Sequence, residues 1–213
     1  FMKINTMREL LNARVHCCED MLERQVYSAC GSDMMSDVLA YVKDQAVLLT
    51  GLVNPQVIRT AEMMDMICII FVRSKAPSDE MIELAKESGT SAGQASVQVK
   101  KNLRQLGLSP ETIRRVSIAM YEGEINMVIH AGGGRADVYV FEDRIELVLS
   151  DSGPGIKNVE QAMQEGFSTA PDAIRSLGFG AGMGLPNMKR YTDSMEIDTV
   201  VGKGTTIKMC VNL

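Results

Sequence analysis

The chain has 213 residues, which is long enough for one large domain or for two small domains with separate cores. With 46% hydrophobic and 23% charged residues it has the composition of a soluble globular protein, and no run reaches the roughly 18 to 20 apolar residues of a membrane span. A net charge of −5 without a basic stripe argues against nucleic-acid binding, so we expect two domains, no membrane span and no nucleic-acid partner.

The first residues contain no long apolar leader segment. The chain has five cysteines, an odd number without framework spacing, which favours a reducing compartment over a disulfide scaffold. The run His16-Cys17-Cys18 contains metal-ligand types, but adjacent cysteines lack the Cys-x-x-Cys spacing that lets two thiolates share a tetrahedral ion. We therefore expect a cytoplasmic protein in which this run takes part in ordinary packing.

Between residues 7 and 89, helical stretches alternate with short apolar runs. Residues 46–51 and 66–72 are continuously apolar, as are strands that are covered on both faces of a parallel sheet. Between them, Asn54-Pro55 supplies a helix N-cap and a proline at the first helical position, and the helical spacing continues through Asp65. These signals predict one βαβ unit.

A second helix is predicted after Pro77, with Ser78 as its cap, and it runs toward Gly89. The strand-to-helix turn at residues 50–54 places a helix N-terminus where an anion could bind. Because it lacks a glycine-rich cradle or a lysine, a plain connection is the favoured interpretation.

Three stretches of this first part, residues 31–38, 48–51 and 77–85, carry a resemblance to the DRTGG domain. The DRTGG domain is a small α/β module found beside sensory and metabolic domains. The resemblance covers roughly residues 3–89 and implies a small α/β domain over residues 1–89.

The small-residue stretch at residues 89–93 predicts a domain boundary, and a new helical pattern follows it up to Gly107. Ser109-Pro110 then gives a strong helix start, with serine as the cap and proline at the first position. Residues 137–141 and 144–149 alternate like half-buried strands, and the turn between them predicts an antiparallel hairpin.

The helix that begins at Ser109 carries Glu122, Asn126 and His130 at i, i+4 and i+8. At this spacing the three side chains share one helix face. A carboxylate one turn before a carboxamide can accept a proton and can hold a hydrated Mg²⁺ through an oxygen ligand. The alternative is a solvated helix face, on which such pairs are common.

Three glycine-rich segments follow this helix in order: Asp151 to Gly155, Gly178 to Gly184, and Gly202 to Thr205. Asp151 ends an apolar strand, where its carboxylate can accept a hydrogen bond from an exocyclic amine while neighbouring glycines let the backbone approach a ring. The second segment precedes a helix start at residues 185–190, so bare amides can meet phosphates there. Residues 166–184 are typical of a nucleotide lid.

These motifs make residues 92–213 resemble the GHKL ATP-binding fold, and most closely the bacterial anti-sigma factor serine kinases. The resemblance implies a second domain over residues 90–213, built as a two-layer α/β sandwich with a mixed sheet. It assigns Glu122 as the general base, Asn126 as the Mg²⁺ ligand and Asp151 as the acceptor for the adenine amino group. The implied nucleotide-binding residues are Asn126, His130, Asp151, Gly153, Gly155, Gly178, Gly180, Gly182, Gly184 and Thr205.

The resemblance therefore implies a cytoplasmic regulatory protein that binds Mg-ATP or Mg-ADP and phosphorylates a serine on a partner protein. The implied partner is an anti-anti-sigma-like or sigma-like regulator. A homodimer is also implied. The alternative is a nucleotide-sensing module whose ATP or ADP state controls a partner interface without transfer. The chain shows no phosphoacceptor-histidine helix before the second domain, which argues against a histidine kinase, and no lysine-bearing loop of an ATPase chaperone.

Overall fold

The computed structural model describes residues 2–42, 46–86, 94–170 and 182–213. The chain divides into two compact units, Phe1–Thr90 and Ser91–Leu213. None of the helices in the described ranges is long and apolar enough to cross a membrane.

The first unit is a small α/β layer built on three parallel strands. Its strands are β1 (Met2–Lys3), β2 (Gln25–Val26), β3 (Ser28–Gly31), β4 (Ala46–Thr50) and β5 (Cys68–Phe71). Its helices are α1 (Ile4–Leu10), α2 (Met35–Tyr41), α3 (Pro55–Met63) and α4 (Asp79–Lys86), with one 3₁₀ turn at Glu19–Met21. The parallel sheet has the order β3-β4-β5, and β1 pairs with β2 in a separate antiparallel ribbon.

The predicted βαβ unit is confirmed, because β4 and β5 pair in parallel on either side of α3. The Asn54 side chain caps α3 by accepting a hydrogen bond from the Gln56 N–H at 2.9 Å. The helix ends at Met63, slightly earlier than predicted, and Asp65 beyond it has a positive φ of 52°. Ser78 accepts a hydrogen bond from the Met81 N–H at 3.3 Å and so caps α4, as predicted.

The turn after β4 is held by Asp33, which lies just beyond the end of β3. The Asp33 carboxylate accepts hydrogen bonds from the Gly51 N–H at 2.7 Å and from the Thr50 hydroxyl at 2.9 Å, and it forms an ion pair with Arg73. The Gly51 hydrogen bond and the Arg73 guanidinium both lower the pKa of Asp33, although its desolvation acts in the opposite direction. This carboxylate thus links the carboxyl ends of all three parallel strands.

In its described residues, 94–170 and 182–213, the second unit contains four helices and a four-stranded sheet. Its helices are α5 (Gln94–Gln105), α6 (Pro110–Ala131), α7 (Val159–Ala162) and α8 (Gly184–Arg190), and its strands are β6 (Arg135–Val140), β7 (Arg144–Asp151), β8 (Ser194–Val200) and β9 (Gly204–Asn212). The strand order is β6-β7-β9-β8. The predicted hairpin is confirmed as the antiparallel pair β6-β7.

The prediction of a mixed sheet is wrong for the described residues, in which all three strand pairings are antiparallel. Short turns join β6 to β7 and β8 to β9, and consecutive strands joined in this way must run in opposite directions. Strands β7 and β8 do run in the same direction, but β9 lies between them and pairs with both.

Helix α6 packs against the sheet as the centre of a helix layer. The core combines residues of α5, α6 and α8 with alternate residues of β7 and β9. Along β7 the buried residues are Ile145, Leu147 and Leu149, each at most 2% exposed. Gly123 of α6 faces Leu149 so closely that a Cβ on it would overlap the leucine side chain. A glycine at this position therefore lets the helix approach the sheet, which gives the predicted two-layer arrangement.

The start of α6 is fixed by Ser109, whose hydroxyl accepts a hydrogen bond from the Thr112 N–H at 3.1 Å, with Pro110 at the first helical position. The helix ends at Ala131 and is capped by Gly132, which has a φ of 72° in the left-handed region. Both termini agree with the start signal and the glycine run in the sequence.

Two glycines of the turn before β9 test how strongly backbone contact constrains this unit. Both have positive φ, but a Cβ on Gly202 would meet no atom within 4 Å, whereas a Cβ on Gly204 would overlap the backbone carbonyl of Asp151. We expect Gly202→Ala to lower the free energy of unfolding by about 1 kcal/mol and Gly204→Ala to lower it by about 3 kcal/mol. Urea unfolding of the two variants measures this difference, and equal losses would contradict it.

Candidate functional site

Helix α6 carries the three predicted side chains from the interior of the second unit to its surface. Glu122 is buried, with 4% of its surface exposed, whereas Asn126 is half-buried and His130 is exposed. Because they follow one another at intervals of four residues, they line one edge of the helix. The helix therefore presents a desolvated acid, a carboxamide and an imidazole in succession.

Glu122 has one polar contact of special importance, to Asn187 of α8. The Asn187 amide donates a hydrogen bond of 2.6 Å to Oε1 of Glu122, and the Asn187 side chain is fully buried. Burial raises the pKa of Glu122 from its ordinary value of 4.5 to about 7, although the Asn187 hydrogen bond lowers it. The carboxyl group is therefore able to exchange a proton near neutral pH.

Sequence reasoning missed Asn187. Its signal in the sequence was a single amide side chain between the apolar residues of Leu185-Pro-Asn-Met188, directly after the second glycine-rich segment. A buried amide requires a hydrogen-bonding partner, so an asparagine at this position indicates a polar side chain on the element packed against it.

Asn126 lies against the start of α8. A Cβ on Gly184 would lie 2.9 Å from Nδ2 and 3.1 Å from Oδ1 of Asn126, so a side chain here would crowd the Asn126 carboxamide. Within the described part of the chain the Asn126 carboxamide forms no hydrogen bond. The structure thus brings the predicted Asn126 and Gly184 together and leaves a carboxamide oxygen that is able to ligate a cation.

Asp151 ends β7 directly opposite Thr205, its partner in β9. One carboxylate oxygen, Oδ1, accepts a hydrogen bond from the Gly153 N–H at 2.8 Å. The other has no hydrogen-bond partner among the described residues. Asp151 therefore keeps a free acceptor at the edge of the sheet.

Thr205 contacts a second threonine that the sequence analysis did not single out. Its hydroxyl oxygen lies 3.0 Å from that of Thr199, which also accepts a hydrogen bond from the Ile156 N–H at 2.9 Å. Thr199 thus ties the loop after β7 to the ends of β8 and β9. Its position in an alternating polar and apolar strand just before a glycine turn was the available signal.

Both predicted glycines of the first segment are required by close packing. A Cβ on Gly153 would lie 2.5 Å from the Cβ of Ala131 at the end of α6, and a Cβ on Gly155 would lie 2.5 Å from the carbonyl oxygen of Val200. Gly155 also has a φ of 69°, which favours glycine. These contacts hold the loop after β7 against α6 on one side and against the turn before β9 on the other.

Gly182 joins the two ends of the predicted lid. Its carbonyl oxygen accepts a hydrogen bond of 3.2 Å from the Gly166 N–H, and a Cβ on it would overlap the backbone of Gly166 and Phe167. Gly178 and Gly180, which are also predicted binding residues, lie outside the described residues.

His130 is connected electrostatically to the same region. Partial desolvation lowers the pKa of His130, and the negative charge of Asp151 raises it. The imidazole therefore interacts electrostatically with this carboxylate. Together with the contact between Gly153 and Ala131, this places the last turn of α6 beside Asp151. The structure therefore brings Asp151, Gly153, Gly155, His130 and Thr205 to one end of the sheet, and Glu122, Asn126 and Gly184 to the junction of α6 and α8.

This arrangement combines four chemical capabilities. It offers a free carboxylate oxygen for an amine, a glycine-lined backbone for a planar ring, a free carboxamide for a cation and a buried acid for proton transfer.

Residues 87–211 match the family described as "Histidine kinase-like ATPase domain". The serine/threonine-protein kinase RsbT of Bacillus subtilis is 31% identical over 119 residues, which cover 54% of this chain and 84% of that protein. The anti-sigma F factor of Clostridium acetobutylicum is 34% identical over 135 residues, which cover 61% of this chain and 90% of that protein. A solved structure of the mycobacterial sensor histidine kinase MprB is 19% identical, with a TM-score of 0.37, over 57% of this chain and 91% of that one.

These relatives confirm the resemblance to anti-sigma factor kinases that the sequence motifs predicted. The family match spans more than half of the chain, and the residues it covers include every predicted site residue. The chain belongs to the histidine kinase-like ATPase family.

Proposed function

We propose that the chain is a regulatory protein kinase that binds Mg-ATP and transfers the γ-phosphoryl group to a serine hydroxyl of a partner protein. The observation that carries this proposal is the buried Glu122, whose pKa is raised to about 7, four residues before a free carboxamide at Asn126. The names of its relatives, a serine/threonine-protein kinase and anti-sigma F factors, support the same activity.

In this proposal the adenine binds at the end of β7. The free oxygen of Asp151 accepts a hydrogen bond from the exocyclic amine, while Gly153 and Gly155 let the backbone approach the ring. Thr205 reaches the ring or Asp151 through water. The imidazole of His130 borders the same pocket.

The phosphates lie at the second glycine-rich segment. Gly184 places bare backbone close to Asn126. In this proposal Gly178, Gly180 and Gly182 contribute amides from the same segment. Asn126 holds Mg²⁺ through its carboxamide oxygen, which fits because this group forms no hydrogen bond within the described residues. When bound, the ion neutralises negative charge on the phosphates.

Glu122 is the general base. Its ionised carboxylate takes the proton of the serine hydroxyl as the serine oxygen bonds to the γ-phosphorus, and the bond from that phosphorus to the β-phosphate oxygen breaks to release ADP. A carboxyl group that titrates near neutral pH is matched to this task, because it is both sufficiently basic and substantially ionised.

A nucleotide-sensing module is the second candidate. It is favoured by the burial of Glu122, which is 4% exposed and whose carboxylate accepts a hydrogen bond from Asn187. In that case ATP or ADP would alter a partner interface through the segment before α8, without phosphoryl transfer.

Five further assignments belong to the proposal. The first unit is a DRTGG-like domain over residues 1–89, supported by its parallel sheet and short helices. The second unit is a GHKL domain over residues 90–213. The protein acts in the cytoplasm as a homodimer, and its partner is an anti-anti-sigma-like or sigma-like regulator.

Replacement of Asp151 by asparagine tests the adenine pocket. In this variant the Gly153 N–H would still donate to the amide oxygen, so the amide NH₂ group would point toward the adenine amine. Two hydrogen-bond donors would then face each other without an acceptor. We expect Asp151→Asn to weaken ATP binding roughly 10- to 100-fold in calorimetry. Asp143→Asn removes the same charge from the exposed turn at the other end of β7 and should leave binding unchanged. Equal affinity of Asp151→Asn and the wild type would refute the pocket.

Replacement of Glu122 by glutamine separates the two candidate functions. We expect Glu122→Gln to bind ATP normally but to transfer phosphate to a serine-containing partner at least about 100-fold more slowly, because the base is lost. The wild-type rate should rise with pH through about 7 as the carboxyl group ionises. Measurement uses labelled ATP over a range of pH. Transfer by Glu122→Gln at the wild-type rate would exclude Glu122 as the base.

The same substitution has a predicted effect on stability. The folded-state pKa of Glu122 lies above its ordinary value of 4.5, so the wild type loses stability as pH rises from about 4.5 through about 7. Glutamine does not titrate, and we therefore expect Glu122→Gln to be more stable than the wild type by up to about 3 kcal/mol at pH 8 and by much less at pH 5. Urea unfolding at the two pH values measures this gain. A gain that is independent of pH would contradict the assigned pKa.

A further inference from the structure

Asn187 is a fully buried amide on a helix whose neighbouring residues are apolar. It lies on α8 immediately before Met188, which is also fully buried in the core. An amide in such a place costs free energy unless it is hydrogen-bonded. Its NH₂ group donates to Oε1 of Glu122 at 2.6 Å, which directly links α8 to α6.

We propose that Asn187 is a positioning residue for Glu122, which it serves by holding Oε1 and leaving Oε2 as the oxygen that takes the serine proton. This inference rests on the proposed function, in which Glu122 is the general base. It assigns to α8 a task beyond the placement of glycines near phosphates.

Asn187 acts on Glu122 electrostatically. Ionisation of Glu122 places a charge in a desolvated site, and a donor directed at that charge stabilises it. Burial and the Asn187 hydrogen bond are the influences on the pKa of Glu122, and no charged group among the described residues contributes to it. Glu124 on the same helix is turned toward α5, where it accepts hydrogen bonds from Ser96, and Arg190 of α8 pairs with Glu165.

Helix α8 also fixes the position of Glu122 relative to Asn126. Two of the contacts between α8 and α6 lie one turn apart, Gly184 at Asn126 and Asn187 at Glu122. One short helix therefore fixes both the group proposed to hold Mg²⁺ and the group proposed to take the proton. Because α8 directly follows the second glycine-rich segment, the base is tied to the part of the chain that meets the phosphates.

The test uses the full chain with Asn187→Leu, which keeps a similar volume and removes the donor. Two quantities are measured: the titration of the Glu122 carboxyl carbon by NMR, assigned through its absence in Glu122→Gln, and the pH dependence of phosphoryl transfer. We expect the Glu122 titration and the rising limb of the rate profile both to move upward by about one pH unit. The rate at pH 7 should fall about fivefold and recover at high pH, with KM for ATP unchanged.

Thr192→Val is the matched control. Thr192 is also buried on the segment that leaves α8, where its hydroxyl donates to the Met188 carbonyl oxygen at 2.7 Å without contacting Glu122. It should leave the titration and the pH profile as in the wild type. If Asn187→Leu fails to fold, as judged by circular dichroism, Asn187→Ala removes the amide without adding volume and should move both quantities in the same direction.

The outcomes separate the two proposals. A wild type that transfers phosphate, together with an Asn187→Leu variant whose titration and rate profile are unchanged, overturns the role of Asn187 alone. A wild type that transfers no phosphate to any partner overturns the proposed function. The carboxyl titration then still decides the inference, because an unmoved Glu122 titration means that Asn187 does not control this group.

Discussion

The packing of α6 on the sheet is the constraint from which the properties of the site follow. Gly123 lets the helix backbone approach Leu149, and Glu122, one residue away, is 4% exposed. Desolvation then raises the pKa of the Glu122 carboxyl toward neutrality. The same helix continues outward to Asn126, where the surface opens. A single packed helix thus supplies both a buried acid and an accessible ligand without any change of secondary structure.

Close backbone approach is the second organising feature. Gly153, Gly155 and Gly204 all lie within a few residues of Asp151 or its partner strand, and each faces an atom that a Cβ would overlap. Because backbone elements meet here without side chains between them, the carboxylate of Asp151 is held at a fixed edge of the sheet. Its Oδ1 is used to hold the Gly153 N–H, so the direction of the free oxygen is also determined.

The first unit applies a related principle to a parallel sheet. Asp33, Thr50 and Arg73 come from the carboxyl ends of three different strands, and they are joined by hydrogen bonds and an ion pair. Parallel strands bring their carboxyl ends to one edge, so residues distant in sequence meet there. The turn at residues 50–54, which the sequence favours as a plain connection, is in the structure a loop anchored by a charged side chain.

The sequence by itself determined the elements whose signals are local: the caps at Asn54 and Ser109, the hairpin after α6 and the order of the glycine segments. It did not predict β8, although that strand alternates, nor β3, which is short and contains glycine. Tertiary structure alone decided the antiparallel order of the second sheet and the pairing of Asn187 with Glu122. Strand order and buried hydrogen bonds depend on which elements, distant in the sequence, pack against each other and bury their surfaces. A local sequence pattern contains no information about that packing.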